Sequence, residues 1–151
     1  MTQEEYKTIL RTAIGNEVEA YEFYKGVSEK ASDIVIKKMF SQLAAEEQGH
    51  QKLIEGFLTG DFSTMHFHES PDYKISETVE KPKLSVNMKP ADAIALAMKN
   101  EEEAMNMYTE FANASVDQAQ KKIFQDLSAM EKGHKIKLEE YYVNIAFAEV
   151  W

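Results

Sequence analysis

The sequence predicts an all-α protein, two helical hairpins joined by a long crossover between the second and third helices and closing into a four-helix bundle. Three observations predict it. Apolar residues recur with helical period in both halves of the chain, whereas Pro71, Pro82 and mixed polar residues gather in the middle. Residues that start and stop helices fall at four places. The second half also repeats the first at an offset of 84 residues.

The first helix is expected from about Gln3 to Lys30, because Thr2 and Glu5 have the spacing of a capping box. Ser32 or Asp33 starts the second, and Thr59-Gly60 stops it after Leu58. Residues 60–89 read as the crossover. Pro90 suits the first position of a third helix lasting to about Ala114, and Asp117 opens a fourth that runs to about Ala148. Short connections make each pair antiparallel, and a segment of this length can span a bundle of about 40 Å.

The repeat superposes Glu17 on Glu101, Tyr24 on Tyr108, Phe40 on Phe124, Leu43 on Leu127, Glu47 on Glu131 and His50 on His134. Residues three apart lie on one helix face, so Glu47 with His50, and Glu131 with His134, can reach one metal ion together. A second helix must supply the remaining ligands. Glu17 lies 13 residues before Lys30 and Glu47 lies 14 after Asp33. Both distances correspond to about 20 Å of helix, so the two glutamates arrive at one level. Glu101 and Glu131 match in the same way. A row of ordinary helix ion pairs uses the same spacing, but it would not keep spacing and level in both halves. The expectation is one dinuclear centre held by Glu17, Glu47, His50, Glu101, Glu131 and His134. Carboxylates bridge two cations and offset their charge, and each imidazole adds a neutral nitrogen donor, which suits iron or manganese. Zinc would be an adventitious occupant.

Composition narrows the function classes. A chain of 151 residues without cysteine suits one domain, 1–151, and excludes disulfides, thiolate-bound zinc, iron–sulfur clusters and a rubredoxin-type iron. Any redox work therefore needs another cofactor and an outside electron donor. The net charge of −9 argues against nucleic acid and anionic membranes as partners. Neither a secretion signal nor a membrane-spanning run is visible, so a cytoplasmic location is expected.

Several residues keep two readings. Tyr24 and Tyr108 lie two turns from a ligand on the same face and serve either to hydrogen-bond a ligand carboxylate or as ordinary core tyrosines. Asn16 and Asn100 stand beside the ligands or make a packing contact. Glu19 and Glu103 read as surface residues. The cluster Met65-His66-Phe67-His68 reads as loop structure, because no Glu stands at ligand spacing. Tyr141, Tyr142, Phe147 and Trp151 give the last helix an aromatic end, either simple packing or the interface of an expected homodimer.

Gly15-Asn16-Glu17 with Tyr24, Phe40 before Glu47-x-x-His50, Glu101 with Tyr108, and Phe124 before Glu131-x-x-His134 together resemble the rubrerythrin family of the ferritin-like superfamily. The resemblance covers all four helices. It implies a ferritin-like bundle in which Glu17 and Glu101 are terminal carboxylates, Glu47 and Glu131 bridge two iron ions, and His50 and His134 each cap one. It also implies reduction of hydrogen peroxide or dioxygen with electrons from an external donor such as a separate rubredoxin. A ferroxidase or iron-handling role is the second reading, and a metal-free helical interaction module the third. The chain departs from the family at Ala104, where an additional Glu ligand is usual.

Overall fold

The computed structural model describes residues 2–59, 74, 76–82 and 89–150, the last five by their backbone alone. Among them are four α-helices and a short 3-10 helix, and no strand: α1 (Gln3–Lys30), α2 (Ile34–Leu58), the 3-10 helix (Ser76–Thr78), α3 (Pro90–Ala114) and α4 (Gln118–Val150). The chain divides into two compact units, Met1–Ser63 and Thr64–Trp151, each built on one antiparallel helical hairpin.

In the first hairpin the capping box is formed as its spacing required. Thr2 Oγ1 accepts the Glu5 N–H at 3.1 Å, and Glu5 Oε2 accepts the Thr2 N–H at 2.9 Å. Two of the orphan donors at the α1 start are thereby satisfied. Asp33 does the same for α2, its Oδ1 accepting from Val35 at 2.8 Å and Ile36 at 3.2 Å. The buried face of α1 runs Tyr6, Leu10, Ala13, Glu17, Tyr24 and Ser28, and that of α2 includes Ile36, Phe40, Leu43, Glu47 and Ile54. Both follow the three-four spacing of an amphipathic helix. The Tyr24 and Phe40 rings lie 5.9 Å apart, and Ser28 Oγ donates to the Lys37 carbonyl at 3.0 Å, fastening the hairpin near its turn.

The second hairpin repeats this plan. Pro90 occupies the start of α3, where its missing N–H is no loss and its fixed φ is already helical. Asp117 Oδ1 accepts the Gln120 N–H at 3.0 Å at the start of α4. The Phe111 and Phe124 rings lie 5.5 Å apart, and Ser128 Oγ donates to the Met105 carbonyl at 3.0 Å, tying α3 to α4. Leu10 and Ile94, Phe40 and Phe124, Leu43 and Leu127, and Ile54 and Leu138 are repeat pairs in which every member is fully buried. Each of these side chains contributes about 1.5–3 kcal/mol of transfer free energy.

Two features add detail to the sequence expectation. The fourth helix continues to Val150. The crossover is more than a plain loop, since its Ser76–Thr78 segment is helical and packs on α3. His66, His68 and Trp151 lie outside the described residues, as does the Phe147 side chain.

Candidate metal centre

Each hairpin carries two glutamates where its buried face would otherwise continue with an apolar residue. On α1, Glu17 follows Leu10 and Ala13 at helical spacing; on α2, Glu47 follows Phe40 and Leu43. Glu101 on α3 follows Ile94 and Ala97, and Glu131 on α4 follows Phe124 and Leu127. Relative exposures are 4 % for Glu17, 1 % for Glu47, 4 % for Glu101 and 3 % for Glu131. Glutamates are almost never this buried unless they are paired or bind a cation.

The sequence-predicted ligands meet within each hairpin. His50 Nδ1 lies 3.7 Å from Glu17 Oε2 and 3.7 Å from Glu47 Oε2. His134 Nδ1 lies 3.4 Å from Glu101 Oε1. Glu101, Glu131 and His134 are all buried and form a group that could hold a metal ion, with one ligand atom from each lying within 4.8 Å of the others. The donor chemistry fits such an ion. Each hairpin brings two buried carboxylates and one imidazole together, an oxygen and nitrogen donor set of the kind iron and manganese prefer.

The remaining candidates are placed as follows. Tyr24 and Tyr108 are both buried two turns from Glu17 and Glu101. Asn16, Asn100 and Glu19 are exposed, so neither asparagine is buried in a packing contact. Glu103 is exposed and pairs with Lys81 at 3.0 Å. Ala104 is half-buried one turn beyond Glu101.

Sequence reasoning missed a second set of polar residues beside the ligands of the second hairpin. Lys135, directly after His134, is fully buried, with its ammonium 2.7 Å from Glu77 Oε1. Glu102, directly after Glu101, accepts from Lys99 at 2.6 Å and from the Ser76 hydroxyl at 2.7 Å. Burial alone would raise the Glu102 carboxyl, but the hydrogen bonds from Lys99 and Ser76 and the charges of Lys99 and Lys135 hold it below the ordinary carboxylate value. Helical phase offered a signal for Lys135, which lies four residues after Glu131 and three before Leu138, and therefore on the core face.

Comparison with known proteins bears on the family and the fold. The Rubrerythrin family model matches residues 8–142. No curated protein matches. Among solved structures, a hypothetical protein from Pyrococcus furiosus is 26 % identical, with 91 % of this chain and 87 % of that one covered and a TM-score of 0.65. No helix among the described residues is long and apolar enough to cross a membrane.

Proposed function

The chain belongs to the rubrerythrin family and to its ferritin-like four-helix-bundle class, and on that premise we propose that it is a di-iron carboxylate oxidoreductase that reduces hydrogen peroxide or dioxygen with electrons from an external donor. The observation that carries this reading is the set of four buried glutamates, two to a histidine in each hairpin. The two half-sites work as one di-metal centre. Glu17, Glu47 and His50 of the first hairpin and Glu101, Glu131 and His134 of the second would hold the ions, with Glu47 and Glu131 the candidates to be shared between them. When bound, a pair of ferrous ions would supply the two electrons needed to reduce an O–O bond. The chain's own residues would hold that pair on the buried faces of the helices. Within each hairpin the glutamates follow buried apolar residues on their own helix, Leu10 before Glu17, Phe40 and Leu43 before Glu47, Ile94 before Glu101, and Phe124 and Leu127 before Glu131, and such surroundings strengthen charge interactions.

None of the 151 residues is a cysteine, so none of them can hold a rubredoxin-type iron, and the donor proposed here is an external one such as a separate rubredoxin. The test is anaerobic loading with ferrous iron followed by stopped-flow mixing with peroxide or with dioxygen. Two ions per chain are expected, with oxidation by peroxide the faster reaction and turnover only when a reductant is added. At most one tightly held ion per chain would sink the di-metal reading. Ala104 favours the second reading, a ferroxidase, because a methyl group where the family usually has a Glu makes the centre more like that of a plain ferritin. Faster oxidation by dioxygen than by peroxide would select it.

A further inference from the structure

The 3-10 helix Ser76–Thr78 is fastened to α3 and α4 by a connected set of charged and polar groups. The Lys135 ammonium, fully buried, reaches Glu77 Oε1 at 2.7 Å and Glu139 Oε2 at 3.9 Å. The same Glu139 oxygen accepts the Ser76 N–H at 2.6 Å. The Ser76 hydroxyl donates to Glu102 Oε2 at 2.7 Å, and Lys99 Nζ donates to that oxygen at 2.6 Å and to the Ser76 carbonyl at 3.1 Å. A buried ammonium is tolerated only where anions and hydrogen bonds compensate its lost hydration. This hairpin places one immediately beside a metal-ligand candidate.

Among the described residues, the first hairpin holds the same candidate ligand types without this network. At the repeat positions of Lys99, Glu102 and Lys135 stand Gly15, Val18 and Gln51. Glu139 alone keeps its identity, as Glu55, and there it accepts from Gln51 at 3.0 Å in an exposed pair. A helical hairpin with two glutamates and a histidine thus forms without the buried cation, so the network is not a requirement of the hairpin fold.

We propose that Lys135 and its partners Glu77, Glu139, Ser76 and Glu102 form a clamp that positions the α3 and α4 ligand turns of the second hairpin for metal binding. The proposal rests on the di-metal reading above. Its physical basis is adjacency. Fixing the backbone at Lys135 fixes that of His134, and fixing Glu102 fixes Glu101. Ligands already held in place lose less conformational freedom on binding, and the metal is held more tightly.

The test is titration of the metal-free protein with cobalt(II), read by its visible absorption, in two backgrounds. His50→Ala leaves the second hairpin's ligands intact, and His134→Ala leaves the first hairpin's. Into each we place Glu77→Gln, a substitution at a partly exposed residue, or Lys135→Met, with Lys135→Arg as the conservative variant. Both clamp variants should weaken cobalt binding about 10-fold in the His50→Ala background, the lower end of the loss seen for outer-shell partners. In the His134→Ala background the change should be several-fold smaller, since of the clamped turns the proposed bridge Glu131 then mainly serves the remaining ion, and Lys135→Arg should recover part of the loss. A merely structural role would lower affinity alike in both backgrounds, and that result overturns the clamp. So does no change in either. If Lys135→Met does not fold, Glu77→Gln decides. Absence of cobalt binding by the parent protein overturns the metal reading itself, whereas two bound ions with clamp-independent affinities overturn the clamp alone.

Discussion

The two hairpins carry the same candidate ligands on corresponding faces, but among the described residues the Ser76 network stands beside those of the second. In the first, His50 stands between Glu17 and Glu47 at 3.7 Å with its side chain 16 % exposed. In the second, the His134 side chain is 8 % exposed and 3.4 Å from Glu101. The difference teaches that ligand identity and ligand support are separable. The repeat preserved the six donors, and the support was built almost wholly from residues whose repeat partners differ in type.

The largest effect should come from the matched core rings, which test whether the hairpins are energetically alike. Phe40 and Phe124 are both fully buried, one against Tyr24 and the other against Phe111. Replacement of either by Ala should cost about 3–5 kcal/mol, a large part of the roughly 5–15 kcal/mol available to a domain of this size. Urea unfolding followed by circular dichroism and by tyrosine fluorescence should give one transition for each variant, with similar losses. A loss confined to one of two separate transitions would show that the hairpins unfold independently, contrary to the single-domain expectation for 1–151.

Matched ligand substitutions come next. If Glu47 and Glu131 each bridge, Glu47→Ala and Glu131→Ala should each weaken both ions, by more than about 100-fold, the upper limit for loss of an outer-shell partner. His50→Ala and His134→Ala should each weaken mainly one. Calorimetric titration with manganese distinguishes the cases by the number of sites altered. One site lost in all four variants would leave two separate mononuclear sites in place of a shared centre.

How much was legible follows from the range of the interactions. Thr2 with Glu5, Asp33 and Pro90 act within one helical turn, so helix starts could be read locally. The buried faces followed from period, and the candidate ligands, which the structure gathers within each hairpin, were named from a repeat that kept period, spacing and level together. The Ser76 network was not legible for three reasons. Its contacts join residues 26 and 63 positions apart, the first hairpin has no matching network, and its lysines and glutamates are residue types that usually mark a solvated face. The phase of Lys135 pointed inward, but its charge pointed outward, and only the position of Glu77 resolves the conflict.

The smallest effect, and the sharpest test of the comparison, concerns a pair of alanines. Ala20 and Ala104 are repeat partners, each half-buried and three residues after a proposed terminal ligand, Glu17 or Glu101. Residues three apart share a helix face, so Ala20→Glu and Ala104→Glu each offer a carboxylate to the centre from the neighbouring turn. The turn at Glu101 is tied through Glu102 to Ser76 and Lys99, whereas the turn at Glu17 has Val18 in that position. A new carboxylate on the tied turn is presented in one geometry, and on the other turn it samples several. We therefore expect Ala104→Glu to alter the oxidised iron spectrum and to change the peroxide rate by about 10-fold, equivalent to about 1.4 kcal/mol, and Ala20→Glu to change both less. The measurement is stopped-flow oxidation of the ferrous-loaded variants, with thermal unfolding confirming that each is folded. Equal responses would mean that the two turns are equally ordered when metal is bound. No response to Ala104→Glu would mean that residue 104 faces away from the centre, and that the third helix is rotated about its axis from the orientation in which Glu101 serves as a ligand and Ala104 sits one turn beyond it on the same face.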